Sequence, residues 1–205
     1  AVSTAAILIR LVNDQVSALV IAAYRLGLSA CLSALIYFGS RHGQAKPNKR
    51  QFIWMAFSGA FLAAHFAAWI SSLEYISVSS SVILVTTTPL WVALFSPLVL
   101  KEKVSPGFYL GMLFALLGGV VIAFSGPCKL SGSGLACAGK MLDSSPETLR
   151  GMLLALAGAW MASGYMLIGR KIRAETDNSQ YTLVVYAFAA LILILTAVFR
   201  GEKLY

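Results

Sequence analysis

The feature that most constrains this chain is a series of long apolar segments separated by short polar ones. A helix that crosses the roughly 30 Å hydrocarbon core of a bilayer needs about 20 apolar residues. Six segments come close to that length or exceed it: 17–39, 52–73, 78–100, 107–124, 151–168 and 181–199. A further apolar stretch, 1–12, has the composition of the end of another helix. With only 12% charged residues, the chain is far from the composition of a soluble domain. We therefore predict an all-α, polytopic membrane helix bundle.

The basic residues predict how the bundle is oriented. Short loops make neighbouring spans antiparallel, so the loops fall alternately on two sides. Loops 40–51, 101–106 and 169–180 carry most of the bases, while 13–16 and 74–77 carry none. By the positive-inside rule the base-rich loops are cytoplasmic, and we expect the protein in the cell (inner) membrane. Because the bases lie between spans and not on a solvated face, the net charge of +8 does not indicate a nucleic-acid partner.

Two pairs of apolar segments indicate an internal repeat. Residues 3–10 align with 163–170, and residues 17–24 align with 181–188. The second copy begins an odd number of helices after the first, so the two copies are predicted to be inverted with respect to each other. Inverted repeats are typical of secondary transporters, whose substrate site lies at the repeat interface.

A polar interruption occurs in the segment 78–100, where Thr86, Thr87 and Thr88 precede Pro89. Proline has no N–H, so the carbonyl of Val85 loses its helical donor. In a membrane that carbonyl needs another partner, which a nearby threonine hydroxyl can provide. Two interpretations are left open: a kink that serves helix packing, or a hinge or cavity lining near the bilayer midplane.

The preceding span places polar and aromatic residues on one face by their spacing, namely Ser58, His65, Trp69 and Ser72. A large polar side chain within a span usually faces the bundle interior or a water-filled cavity. His65 therefore either contacts a substrate or proton, or simply hydrogen-bonds to a neighbouring helix. Trp69 and Tyr75 either line the interior or belong to the aromatic belt at the membrane surface.

Arg25 lies eight residues into its predicted span, roughly 12 Å deep at about 1.5 Å per residue. Its long side chain can snorkel to the outer interface. The alternative is a contact with an anion, or an internal ion pair with Asp14 or Glu74.

Small residues at helical spacing predict close helix packing. The glycines that we assign to this role are Gly27, Gly107, Gly111 and Gly118.

The patterns of several enzyme classes are missing or incomplete. The stretch GLACAGKM, residues 134–141, lacks the final Ser/Thr of a phosphate-binding loop and sits in a predicted external loop of a helical protein. No H-E-x-x-H motif is present, and no acidic residue lies inside a predicted span. We predict no enzyme, no cofactor and no metal site. Cys128 and Cys137 share the external loop, as a disulfide or as two unpaired thiols; both alternatives stay open.

Residues 65–105 resemble the third and fourth helices of the EamA-type transporters of the drug/metabolite superfamily. The resemblance rests on an S-L-x-Y stretch, a serine-rich helix entry, the sequence TPLW and the following Glu102. AAYRLGLSA, residues 22–30, and the segment 151–171 resemble other helices of the family. The family has ten helices in two inverted repeats and moves small metabolites, amino acids or drugs, mostly outward.

The resemblance implies a domain organisation and a site. Residues 1–124 correspond to the first five-helix repeat with its first helix truncated, 125–150 to an external loop, and 151–205 to the first two helices of a truncated second repeat. The sequence is thus expected to be a fragment. The implied cavity residues are Arg25, His65, Trp69, Ser72, Thr86, Thr87, Thr88, Trp160 and Tyr165, with Pro89 as hinge.

We therefore predict an exporter of small molecules that works by alternating access. The partners expected for it are the lipid bilayer and a small-molecule substrate, and a homodimer is left open. The alternative function is that of a non-transporting membrane scaffold or accessory subunit, which would also carry small-residue packing surfaces.

Overall fold

The computed structural model describes residues 16–39, 47–102, 105–125, 128–131, 134–137 and 145–203. Within these residues the chain forms a helix bundle and one short hairpin. The elements are α1 (Ala18–Gly39), α2 (Lys49–Ser72), α3 (Val78–Val85), α4 (Thr88–Val99), α5 (Pro106–Ser125), β1 (Cys128–Ser131), β2 (Gly134–Cys137), α6 (Pro146–Arg173) and α7 (Asn178–Phe199). The predicted polytopic helix bundle is confirmed, and the apolar stretch 1–12 lies outside the described residues.

Five spans are long and apolar enough to cross a membrane: α1, α2, the joined pair α3–α4, α6 and α7. Helix α5 adds a shorter apolar segment, Pro106–Gly118, within the part searched for spans. Helix α6 is longer at both ends than the sequence predicts. It begins where the Ser145 side chain accepts a hydrogen bond from Thr148 N, and it continues through three basic residues in its last turn. Hydropathy marks only the apolar part of such a helix, while capping decides where it begins.

Two pairs of helices build the core of the bundle. Helix α2 packs along α6, and α1 packs along α7, which also contacts α2. Both helices bury alanines completely, Ala22 in α1 and Ala189 and Ala197 in α7. Small side chains let two helix backbones approach closely. The pairing is of interest because α1 and α7 are the helices that the predicted repeat relates to each other.

Helix packing relies on other glycines than those predicted. A Cβ built on Gly27, Gly107, Gly111 or Gly118 meets no atom of a described residue within 4 Å. The predicted packing at these positions is therefore not found among the described residues. The close approaches occur at a different set of glycines, in α2 and α6: Gly59, Gly151, Gly158, Gly164 and Gly169. Spacing alone cannot tell which small residue of a span faces a neighbouring helix.

Contacts at the two ends of the bundle sort the loops into two sets. At one end the Arg170 guanidinium lies 2.9 Å from the Glu102 carboxylate. At the other end Ser17 Oγ donates a hydrogen bond to the Glu202 carboxylate, and Arg150 lies over the Tyr75 ring. These sets agree with the alternation of loops expected from the sequence. That the end with Arg170 faces the cytoplasm stays a prediction.

The loop 125–150 contains a hairpin that was not predicted from the sequence. Strands β1 and β2 are antiparallel, and their register puts Cys128 directly opposite Cys137. Cys128 and Cys137 are thus backbone neighbours across the hairpin. They are the two residues that the disulfide alternative would join.

Candidate functional site

The span from Val78 to Val99 is broken between α3 and α4, where the threonines precede Pro89. Thr88 Oγ1 donates a hydrogen bond to Val85 O at 2.7 Å, the carbonyl that proline leaves without its helical donor. Thr87 Oγ1 likewise donates to Leu84 O at 2.6 Å, and Thr86 Oγ1 donates to Ile83 O at 2.9 Å. The three hydroxyls therefore satisfy the backbone at the break, as expected inside a membrane.

The break separates two cavities. The larger one, which we call the central cavity, has a volume of about 470 Å³. It is lined from α1 by Arg25, from α2 by His65, Phe66 and Trp69, from the break by Val85, Thr86, Thr88 and Pro89, and from α6 by Ala162 and Met166. A side cavity of about 290 Å³ lies between the break and α5, and Thr86 and Pro89 line both. The break is thus a wall of two cavities as well as a kink in the helix.

The central cavity continues along α1 and α6 into an extension of about 280 Å³. The extension shares Arg25 and His65 with the central cavity and reaches Ser29, Tyr165 and Tyr186. Together the two spaces connect the helix break to the α1–α7 pair.

His65 links α2 to α6. Its Nδ1 lies 2.9 Å from Gly158 O, and because a carbonyl oxygen can only accept, Nδ1 carries the proton. The imidazole ring stacks on Trp69, with ring centroids 6.0 Å apart and planes 7° from parallel. The interhelical hydrogen bond expected as one alternative is therefore present, and the same ring also lines the central cavity.

Arg25 lies in the wall of the central cavity, where its guanidinium contacts aromatic rings. Its Cζ is 5.0 Å from the Phe66 ring centroid and 5.8 Å from that of Trp69. Both distances fall in the range of cation–π contacts. Among the described residues the guanidinium makes no ion pair and no hydrogen bond.

The internal ion pair that we considered for Arg25 does not involve Glu74. The pKa of the Glu74 carboxyl is raised, first by desolvation and then by the nearby Glu202 carboxylate, while Arg150 opposes the shift. Glu74 therefore belongs to the end of the bundle that carries Arg150 and Glu202. Asp14, the other partner considered, lies outside the described residues.

Trp69 lies in the interior of the bundle. Only 3% of its surface is exposed, and its indole Nε1 is buried without a hydrogen-bond partner among the described residues. The aromatic-belt alternative therefore does not describe Trp69. Tyr75, which we grouped with it, is half-buried beneath Arg150 at 4.9 Å.

Three other predicted residues lie away from the central cavity. Ser72 is fully buried and hydrogen-bonds with Ser81 Oγ at 2.7 Å, which ties α2 to α3. Thr87 lines the side cavity and accepts a hydrogen bond from Trp91 Nε1 at 3.1 Å. Trp160 is 43% exposed, and its ring meets that of Trp91 edge-on at 5.2 Å. Their placement supports structural contacts more than contact with a ligand.

Several residues of these walls were not predicted from the sequence, among them Phe66, Ala162, Met166 and Tyr186. Ala162 and Met166 are four residues apart and so share a helix face, a signal that the spacing offered. Among the described residues no group of three His, Cys, Asp or Glu side chains could hold a metal ion.

Comparison with known proteins gives a family and a fold. The sequence model of the family described as the EamA-like transporter family matches residues 1–124. A solved crystal structure superposes with a TM-score of 0.62 and 20% sequence identity, covering 95% of this chain and 66% of its own. At that identity the superposition speaks for the fold alone. No curated protein sequence matches the chain.

Proposed function

Because the chain belongs to the EamA-like transporter family, a family of membrane transporters, we propose that it works as a secondary transporter that exports small molecules by alternating access. The substrates are metabolites, amino acids or drugs, and the membrane is the cell (inner) membrane. Loops 40–51, 101–106 and 169–180 face the cytoplasm in this proposal. Since the chain spans 66% of the structure that it matches, the activity is proposed for the whole protein.

The observation that carries the proposal is a cavity placed beside a broken helix. The break follows the 8 residues of α3 in a span of 22 residues, so it lies well inside the membrane. Irregular backbone at that depth is tolerated where it is buried in protein or lines a cavity. Discontinuous helices at the midplane form the substrate sites of many secondary transporters.

The local hydrogen bonds support a hinge at Pro89. The Thr86 and Thr87 hydroxyls bond carbonyls three residues earlier in α3, so these two bonds need not break when α4 tilts against α3. The Thr88 hydroxyl bonds Val85 O across the break and is the local side-chain bond that such a tilt would strain. Ser163 of α6 lies 3.2 Å from Thr88 O, which couples the start of α4 to the wall across the cavity. A hinge of this kind absorbs a change in backbone angles at a few residues.

The proposal also assigns residues 1–124 to a first repeat and 151–205 to the start of an inverted second one, separated by the loop 125–150. The packing of α1 along α7 supports it, because inverted repeats meet about a shared axis in the membrane plane. The central cavity lies beside this contact, because Arg25 of α1 forms part of the cavity wall.

Water access to the cavity wall tests the transporter against the scaffold alternative. In the whole protein without its native cysteines, Thr86→Cys and Met166→Cys place thiols in the central cavity. Leu94→Cys is the matched control, because Leu94 is 51% exposed and Met166 46% exposed, yet Leu94 does not line the cavity. A membrane-impermeant thiol reagent is then added to membranes, and the rate of modification is measured.

A transporter should show both cavity thiols modified at least about tenfold faster than the control, because a thiol needs water to form the reactive thiolate. Rates as slow as that of the Leu94 variant at both positions would favour a dry scaffold and contradict the proposed function.

A further inference from the structure

Arg25 gives the central cavity a positive charge that no described residue balances. The described lining includes no Asp or Glu in either the central cavity or its extension. A charge within a span is costly unless it is paired or hydrated. Aromatic faces at 5.0 and 5.8 Å attract the cation, but they accept none of its five N–H donors in the plane of the guanidinium.

Trp69 adds a second donor without an acceptor. Its indole N–H can only donate, and it is buried beside the guanidinium of Arg25 with no partner in the described part of the chain. An unpaired buried donor is rare in folded proteins and calls for an explanation. Here two neighbouring groups of one cavity wall lack an acceptor at the same time.

Among the described residues, no hydroxyl or imidazole of the cavity accepts a hydrogen bond from Arg25 or Trp69. Thr86 and Thr88 donate to their own backbone, and His65 donates from Nδ1 to Gly158 O. The remaining walls are apolar, with Phe66, Ala162 and Met166. A ligand that completes this site brings an anionic, hydrogen-bond-accepting group and an apolar body.

We propose that the central cavity selects organic carboxylates, with the carboxylate held by Arg25 and the apolar body against Phe66 and Met166. The planar guanidinium matches a carboxylate with two parallel hydrogen bonds. A cavity of about 470 Å³ lies within the range of roughly 300–1,000 Å³ typical of small-molecule sites. This inference rests on the proposed transport function and names the substrate class of the same site.

Three probes with similar apolar bodies and different charge test the inference: phenylacetate, phenylacetamide and phenethylamine. Their binding to the whole purified protein in lipid nanodiscs is measured by titration calorimetry. Phenylacetate should bind at least about tenfold more tightly than the amide or the amine, since a site built for one polar group rejects analogues that lack it.

Variants locate the effect at Arg25. Arg25→Gln should weaken phenylacetate binding by at least about tenfold, as expected for the loss of a charge-assisted pair, and should leave phenylacetamide unchanged. Arg25→Lys should keep the preference for the acid over the amide while lowering the affinity. Arg150→Gln is the matched control, because Arg150 also lies over an aromatic ring, Tyr75 at 4.9 Å, but outside the cavity; it should bind phenylacetate as the wild type does.

The comparison of probes on the wild-type protein needs no variant to fold. Equal or tighter binding of the amide or the amine overturns the inference, as does unchanged phenylacetate binding in Arg25→Gln. If no probe binds although positions 86 and 166 are modified quickly from water, the carboxylate class is wrong and the transporter proposal stands. If both experiments fail, both proposals are wrong.

Discussion

Helix α2 passes through two environments that treat polar side chains in opposite ways. In its N-terminal half, Ser58 is fully buried between α6 and α7, where its Oγ lies 2.5 Å from Tyr181 Oη. Three turns later, Trp69 is also buried, but its N–H finds no partner within the described ranges. The Arg25 guanidinium beside it makes only ring contacts among the described residues.

The difference separates structural from functional polarity within one helix. In the packed region around Ser58, which we call the packed interface, a polar group finds its partner inside the protein, and the backbones lie close together at Gly59. At the central cavity the Arg25 and Trp69 donors have no acceptor among the described residues. Their burial therefore costs free energy that a packed acceptor would have offset. Such a cost is expected where a ligand supplies the missing partner. Substitutions in the two regions should therefore affect different properties.

The largest effect is expected from Gly59→Ala at the packed interface. A Cβ there would lie 2.8 Å from Phe188 Cβ and 2.9 Å from Val185 O, so α2 and α7 must separate. We expect a loss of about 1–3 kcal/mol in stability, as for other overpacked cores, measured by thermal unfolding in detergent.

Gly27→Ala is the matched control for Gly59→Ala, because in the described part of the structure a Cβ on Gly27 meets no atom within 4 Å. This variant should be unchanged or more stable by up to about 1 kcal/mol, the gain in helix propensity from glycine to alanine. Equal destabilisation by both variants would mean that the packed interface is no tighter than the rest of the bundle.

The second prediction concerns Pro89 at the cavity wall. Pro89→Ala supplies an N–H that can donate to Val85 O, which now accepts from the Thr88 hydroxyl. The span should straighten and gain about 1–2 kcal/mol in stability, part of the roughly 3 kcal/mol that a proline costs inside a helix. Modification of a cysteine at position 86 should slow, because a stiffer hinge opens less often.

Pro97→Ala provides the control in the same span. Pro97 also lies inside α4 but lines neither cavity beside the break. It should leave the modification rate at position 86 unchanged. A slower rate in the Pro97 variant, or an unchanged one in the Pro89 variant, would place the moving element elsewhere.

The fold was predictable from sequence because membrane spans are set by one strong physical requirement. Segments of about 20 apolar residues must be helical so that their backbone groups are paired, and all six predicted segments correspond to described helices. The hairpin at Cys128 was not predicted, since a Gly/Ser-rich loop lacks the alternating pattern of a strand. The extra turns of α6 were missed because charged residues hide them from hydropathy.

The site was only partly predictable. Arg25, His65 and Thr86 stand out because polar residues are rare in spans, and the structure brings them to one cavity. Met166 does not stand out, because an apolar side chain has the same appearance whether it faces lipid or a cavity. Trp160 was grouped with the site by family resemblance, yet it contacts Trp91 outside the central cavity. Helix rotation, which hydropathy does not fix, decides these cases.

The smallest effect is expected for the hydrogen bond between Ser58 and Tyr181, and it gives the sharpest test of the comparison. Ser58→Ala leaves the Tyr181 hydroxyl without its partner, while Tyr181→Phe removes that hydroxyl. Each variant should lose about 0.5–1.5 kcal/mol, and the double variant should lose less than the sum, with a coupling of about 0.6 kcal/mol, the average for such bonds in membranes.

Binding of phenylacetate should be unchanged in all three variants, because Ser58 and Tyr181 line neither the central cavity nor its extension. The result would show that Ser58 stabilises the protein without recognising a ligand. The cavity residues of the same helix, α2, would then recognise a ligand at a cost in stability. Additive losses would indicate that the two hydroxyls are satisfied independently. Weakened phenylacetate binding would indicate that the packed interface and the central cavity form one coupled unit, and the contrast between the two regions would then be wrong.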